Sequence, residues 1–511
     1  MTEPRDVSEV IRQWDRFELA VTTTTVYADP YRDVTLDADF RRPDGSSVAC
    51  WGFYDGEATW RLRHIPDQVG RWTYTARFCD AGTAIEGEFL CIESDIPGML
   101  DIYERNPLWF GFRGGGPLLV RSLHVGDRFF AANFDESSRR VFLDWVEKQG
   151  YTMLSIASHY LNRDMPGRGQ GWDTPRLWPL DAHEFSRLER VMDELAARHL
   201  MVYPFAGFFG RDSEAPQNPA DQELYVRYVL ARLGAYWNVL LNVGGPEPTL
   251  LHKPYMSHAE IDRLGCLIAS LNVYGHPITV HNPTGDDAFI DADWLDFTTL
   301  QGPKTMDLAE LRDGLARNHH TQKPLYAQET LWSGNKYHPD YTDDALRRNA
   351  YVMLMSAAAI NFADNGGPEA DSRGDSSSGF SGTLDPRDAR QGRHDILKQV
   401  WDCIAALPYD RMVPRQDLVN RGFCMAEEGT TYLVYLPDAG TVDVTVAPGN
   451  YAVEWINASN PIDRIEGGYT ADGLGLAPPD RGAALGADWL VCLRADQTRV
   501  LISQETTKEL D

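Results

Sequence analysis

Paired cysteines are missing from this chain of 511 residues: the seven present, Cys50, Cys79, Cys91, Cys266, Cys403, Cys424 and Cys492, are odd in number, scattered and without a CxxC pair. That pattern favours free thiols in a reducing compartment over a disulfide framework. Positive charge is also scarce. Forty-eight Lys and Arg stand against 75 Asp and Glu, a net charge of -27, which opposes association with phosphate backbones and anionic lipid surfaces. Nucleic acid and membrane are therefore not expected as partners. No apolar run approaches the ~20 residues needed to span a bilayer. The first residues, MTEPRDVSEVIRQWDRFE, hold no basic segment followed by an apolar run, so the expected location is cytoplasmic. Gly114-Gly115-Gly116-Pro117 is not followed by GxGxxG or Walker spacing, so it reads as a domain-entry turn and no phosphate cradle is expected. No short-period repeat and no HExxH helix occurs.

What is present describes an ordinary globular protein, 43% hydrophobic and 24% charged, too long for one core and long enough for about three domains. From Phe17 the chain alternates: Phe17, Leu19, Val21; Val34, Leu36, Ala38, Phe40; Trp60, Leu62, His64; Trp72, Tyr74, Ala76, Phe78. Period two with one apolar face predicts half-buried antiparallel strands, and turns at Pro43-Asp44-Gly45 and Pro66-Asp67 punctuate them. An Ig-like β-sandwich over residues 1–97 is the expectation. Trp51, Trp60 and Trp72 fit core packing better than sugar stacking, since two of them are in phase with the apolar face.

Over 98–414 strand-like and helix-like segments alternate. Leu118–Leu123, Thr152–Ala157, Met201–Phe205, Val239–Val243, Pro277–Val280, Phe297–Leu300, Pro324–Ala327 and Ala359–Ala363 read as strands, with helices between them. Asp135 is placed to cap one helix, and Asp307 with Glu310 to open another as a capping box. Eight strand-helix pairs predict a (β/α)8 TIM barrel. Beyond 414 alternation returns at Leu433, Tyr435, Val442, Val444, Val446, Val453, Trp455, Trp489–Leu493 and Val500–Ile502, predicting a second β-sandwich over 415–511. The fold class is thus α/β plus β, a barrel flanked by two sandwiches. The sandwiches are expected to pack on the barrel or to mediate self-association, which leaves a homo-oligomer open. Asn365–Thr383, rich in Gly, Ser and Asp, falls after the eighth strand as a candidate active-site loop.

Polar groups collect where strands end: His124, His159, Asp212, Asn242, Glu247, His281, Gln301, Glu329 and Asp364, with Trp332 and Asn335 just beyond Glu329 in KPLYAQETLWSGN. A barrel interior is expected to be apolar, so such a gathering marks an active site at the carboxyl ends of the strands. Glycosidic hydrolysis needs one carboxylic acid to protonate the leaving oxygen and one carboxylate to attack or to activate water. Glu247 after the fourth strand and Glu329 after the seventh lie on opposite walls. Glu329 is assigned as nucleophile and Glu247 as acid/base; His124, His159, Asp212, Asn242, His281, Gln301, Trp332, Asn335 and Asp364 line the expected carbohydrate site. Asp212 and Asp364 are the alternative acid/base groups. No metal or cofactor is expected. The competing readings are a metal-dependent barrel hydrolase using His124, His159, His281 and Asp364, and a binding or scaffold protein without catalysis.

The run GFYDGEATWRLRHIPDQVGRWTYT, the barrel-opening HVGDRFF, and TYLVYLPDAG with YAVEWINA resemble the apiosidase-like glycoside hydrolases across nearly the whole chain. That resemblance implies a retaining barrel glycosidase with an acid/base after strand four and a nucleophile after strand seven. YAQETLW puts Glu329 at the second position. At the first, Gly244-Gly245 is followed by Pro246 and then Glu247, where the family pattern has an aspartate directly after the glycines. Exo-action on short oligosaccharides or glycosides is the expected mode.

Overall fold

The computed structural model describes residues 9–80, 84–156, 173–205, 208–210, 214–250, 254–335, 337–364, 384–387, 389–438, 440–479 and 488–496. At the amino terminus a five-stranded sheet faces a three-stranded one made by Phe17–Thr22, Thr59–His64 and Phe53–Gly56. The alternation expected from sequence is what fills the space between them: Phe17, Leu36, Phe40, Leu62, Trp60, Trp72 and Phe89 form one buried core. Trp51 is different. It is half-buried, donates its indole N–H to the Arg227 carbonyl at 2.9 Å and lies under the Arg227 guanidinium, so it docks this sheet pair onto the next unit.

The glycine run turns a hairpin. Phe110–Arg113 pairs antiparallel with Pro117–Leu118 on one side and with Met99–Ile102 on the other, and Gly115 donates its N–H to the Phe112 carbonyl within the turn. The apolar face of this small sheet (Met99, Leu100, Phe110, Leu118) packs with Tyr203, Trp237, Leu240, Phe297 and Tyr326, closing the amino-terminal end of the large sheet. The first parallel strand consequently starts later than the sequence suggests.

The large sheet contains β1 (Arg121–Val125), β2 (Met153–Ile156), β3 (Met201–Pro204), β4 (Leu241–Pro246), β5 (Ile278–His281), β6 (Thr298–Leu300), β7 (Leu325–Ser333) and β8 (Ala358–Asp364), with a two-residue strand, Phe209–Gly210, beside β4. All pairs are parallel, in the order β3-β2-β1-β8-β7-β6-β5-β4. The sheet curls until its ends approach: Val202 bridges Val239, Val202 N–H donating to Asn238 O at 2.8 Å and Leu240 N–H to Val202 O at 3.0 Å. Helices α1 (Glu136–Lys148), α2 (Ala182–Ala197), α3 (Pro219–Leu233), α4 (His258–Leu271), α5 (Leu308–Ala316), α6 (Asp343–Met355) and α7 (Gln391–Ala405) complete the unit. Asp135 caps α1 as expected, accepting from Ser138 N–H at 2.8 Å. Asp307 caps α5, but the Glu310 carboxylate bonds Thr305 instead of closing a capping box.

The expectation of eight strand-helix pairs is corrected at one place: among the described residues no helix follows β5, and 282–297, rich in Asn, Pro, Gly and Asp, run as turns. A second correction concerns the interior. It is not uniformly apolar, because above the Tyr326 and Phe297 layer Ser122 bonds Tyr326 and Asn361, Ser155 bonds Gln328, and Thr279 bonds Thr299. Each group there has a partner, which is the condition for burying it.

Residues 413–495 form a six-stranded antiparallel sheet. Opposite it the described residues supply only the Val419–Val444 and Val442–Leu476 bridges, so the second layer of the expected sandwich is slight; Val500–Ile502 lies outside the described residues. Arg347 of α6 holds Asp488 at 2.8 Å, and Tyr435 donates to the same carboxylate at 2.7 Å, docking the sheet on α6. Among the described residues no helix is long and apolar enough to cross a membrane.

Candidate active site

Both strands that carry the predicted carboxylates bulge, and in the same way. From Ala327 to Leu331 four steps of β7 pass two of β8, and from Asn242 to Pro246 four steps of β4 pass two of β5. A bulge breaks pairing locally and re-aims side chains. In β7 the excess falls on Gln328, Glu329 and Thr330, so Glu329 sits inside the strand and not beyond it, 4% exposed. In β4 it falls on Gly244 and Gly245, at φ of 75° and 73°, where a side chain would strain the backbone. Glu247 follows at φ 49°, a left-handed conformation that a non-glycine residue adopts at a cost of about 1–3 kcal/mol. Its N–H is anchored on the His281 carbonyl at 2.7 Å.

One amide is fixed against Glu247. Thr284 donates both its N–H and its hydroxyl to Gln301 Oε1 at 2.7 Å, which fixes the amide with its nitrogen towards Glu247, to which it donates a short hydrogen bond. The same side chain acts on Glu329. Lys304 Nζ stands 3.4 Å from Glu329 Oε2. Burial raises the Glu329 pKa; the Lys304 charge opposes it, the Glu247 charge adds to it, and the Gln301 hydrogen bond works against it, with the balance above the ordinary value. His338 donates Nε2–H to the Glu329 carbonyl at 2.7 Å, bracing the bulge from behind.

Two buried histidines, His124 of β1 and His281 of β5, stand against Phe205. His281 is fully buried, its ring 5.0 Å from that of Phe205, and neither ring nitrogen has a hydrogen-bond partner among the described residues. Burial first, then the Lys304 and His124 charges, push its pKa down to about 3, so it is a neutral donor and acceptor. His124, within β1, has its ring 4.8 Å from Trp332 and 5.2 Å from Phe205. Trp332 is 1% exposed. Asn335 is buried beyond β7 and accepts the Tyr337 N–H at 2.8 Å.

Two predicted residues are committed elsewhere. Asn242 donates to the Phe205 carbonyl at 2.7 Å and accepts from His281 N–H at 3.2 Å, stapling β3, β4 and β5 through the backbone. Asp364 accepts the Arg390 N–H at 2.8 Å and lies 3.0 Å from His394 Nε2, whose other ring nitrogen meets the Tyr151 hydroxyl at 2.6 Å. That buried chain ties α7 to the end of β8. His159, Asp212 and the 365–383 loop lie outside the described residues. Sequence reasoning missed Lys304 and His338; Lys304 had a signal, standing three residues past Gln301, a residue already singled out. Among the described residues no three His, Cys, Asp or Glu side chains converge as a metal site.

With this geometry in place, comparison shows what the chain resembles. Residues 131–361 match the family described as apiosidase-like, catalytic domain, and residues 10–79 match DUF5060, a domain of unknown function. A Bacteroides vulgatus structure described as a candidate glycoside hydrolase superposes over 96% of this chain and 100% of its own with a TM-score of 0.74 at 16% identity. A glycoside hydrolase family 5 structure from the same organism covers 79% of this chain and 95% of its own, with a TM-score of 0.58 at 15% identity. At these identities the likeness is one of fold. No curated protein matches the chain in sequence.

Proposed function

We propose that the protein, whose residues 131–361 match the family described as apiosidase-like, catalytic domain, is a retaining glycoside hydrolase with Glu329 as nucleophile and Glu247 as acid/base. The observation that carries this reading is the matched pair of bulges, which bring Glu247 against Gln301 and Glu329 against Lys304, two residues of the one connection that follows β6. We take the curled sheet as a closed (β/α)8 barrel, supported by the Val202–Val239 bridge, with unit boundaries near 97 and 414.

In the first step a Glu329 oxygen attacks the anomeric carbon while the Glu247 carboxyl gives its proton to the departing oxygen; the bond to Glu329 forms as the glycosidic bond breaks. Water then loses a proton to Glu247 and attacks the same carbon, releasing sugar and the Glu329 carboxylate. Two inversions return the original anomer. His281 offers a neutral N–H and a lone pair to sugar hydroxyls, and Trp332 packs against His124. Burial alone would make Glu329 the acid of the pair; Lys304 is the group that opposes this. Exo-action on short glycosides in the cytoplasm completes the reading, supported by seven free cysteines.

Leaving-group dependence tests the assignment of roles. In Glu247→Gln, substrates with basic alkoxide leaving groups should lose at least about 100-fold in kcat/KM, while glycosyl fluorides, which need no proton, should change less than about tenfold. An equal loss on both would reverse or remove the acid role of Glu247. Lys304 is tested by pH. Without its charge the Glu329 carboxyl is protonated at higher pH, so in Lys304→Met the acid limb of the kcat/KM profile should move to higher pH. An unmoved limb would show that Lys304 does not hold the nucleophile ionised.

A further inference from the structure

The β5–β6 connection, the one without a helix among the described residues, flanks a cavity of about 260 Å³ that also meets α5. Its floor is apolar, with Val280, Phe289 and Leu300. Two of its lining residues carry buried polar atoms with nothing to bond: Asn282 Oδ1 and Thr298 Oγ1, on residues 8% and 9% exposed. Native proteins rarely leave such atoms unpaired, and a ligand hydroxyl would satisfy each. The charged lining groups are already matched: Asp287 with Arg317, Asp286 with His258 and Thr249, Glu310 with Thr305, Lys304 with Glu329. The cavity therefore asks for hydroxyls and an apolar face, and offers no uncompensated charge to an ion.

Two of its wall residues are also the contacts of the catalytic pair. Gln301 bonds Glu247, and Lys304 stands beside Glu329. A proton donor must lie next to the oxygen that leaves, so the leaving group sits on the Glu247 and Gln301 side. Resting on the glycosidase reading above, we propose that this cavity is the leaving-group site and takes a single neutral hydroxylated ring, a sugar or a phenol. Pockets for larger ligands begin at about 300 Å³, so one ring fits and a chain does not.

The test is binding to the full-length protein by calorimetry, with glucose, xylose and 4-nitrophenol as neutral rings and glucuronate as the charged control. Wild type, Glu329→Gln, Ile290→Trp, which fills the half-buried rim, and Thr298→Val, which removes one unpaired hydroxyl at constant volume, are compared. At least one neutral ring should bind wild type and Glu329→Gln alike, and weaken tenfold or more in Ile290→Trp and at least threefold in Thr298→Val. Binding of a sugar identifies a carbohydrate leaving group, and binding of nitrophenol alone a phenolic one. No binding of any neutral ring, binding unchanged in both cavity variants, or tighter binding of glucuronate would overturn the proposal; should Ile290→Trp not fold, Thr298→Val decides. Binding needs no turnover, so a wild type that hydrolyses nothing counts against the glycosidase reading while the ring-binding result stands by itself.

Discussion

Replacing Glu329 with glutamine should lower kcat by about 10⁴-fold or more, equivalent to about 5.5 kcal/mol of transition-state stabilisation, because an amide neither attacks the anomeric carbon nor carries the charge that the oxocarbenium-like transition state needs. The substitution keeps volume, so substrate binding should survive. Its effect on stability has the opposite sign. Burial raises the Glu329 pKa in the folded protein, so the protonated form is favoured by folding; that contribution is complete below the ordinary pKa near 4.5 and is lost as pH rises through the folded value. At neutral pH the ionised carboxylate is therefore a destabilising group, and Glu329→Gln should melt no lower than wild type. A variant that is inactive because it unfolds, with a Tm several degrees down, would refute this account of the site as surely as full activity would.

The second large effect lies away from the chemistry. Glu189 of α2 is paired with Arg63 of the amino-terminal sheets at 2.8 Å and with Arg232 of α3 at 2.6 Å, and the side chains are 7%, 5% and 1% exposed. Asp55 stands 2.9 Å from Arg232 as an ion pair, and Glu18 reaches Arg63 at 2.7 Å. Burial pushes the Glu189 carboxyl up, but hydrogen bonds and charge from Arg232 and Arg63 outweigh it and hold the carboxyl at about 2. Removing one partner of a buried pair leaves charge without compensation, at a cost of about 3–5 kcal/mol. Glu189→Ala strips the shared partner from two arginines at the seam between the amino-terminal sheets and helices α2 and α3. Urea unfolding should show that loss, and a change under about 1 kcal/mol would mean that Asp55 and Glu18 suffice. Because the folded pKa is depressed, the contribution is full above pH about 4.5 and disappears as pH falls towards 2, so the wild type and variant stabilities should converge over that window.

Alternation made the amino-terminal strands legible, and Trp60 and Trp72 are buried where period two places them. The eight parallel strands were readable as short apolar runs between helical segments. The bulges were not. Sequence spacing puts Glu329 beyond its strand, because Gln328 and Thr330 interrupt the apolar pattern, yet the strand continues through Ser333 with both side chains buried and Gln328 bonded to Ser155. Proximity to a strand end was also too generous a criterion: it gathered Asn242 and Asp364, whose hydrogen-bond partners, Phe205 and His394, are brought to them only by the fold. Lys304 escaped notice for a related reason. A lone lysine in a loop is ordinary in sequence, and its meaning comes from the carboxylate across the gap.

Hydrolysis of nitrophenyl pentosides and hexosides, furanose and pyranose, followed by proton NMR from the first minutes, is the most direct test of the central claim. Two displacements through Glu329 predict that the first sugar released has the anomeric configuration of its substrate, with mutarotation following later. An inverted first product would contradict the Glu329 nucleophile, and no release from any member of the panel would contradict glycosidase action on simple glycosides.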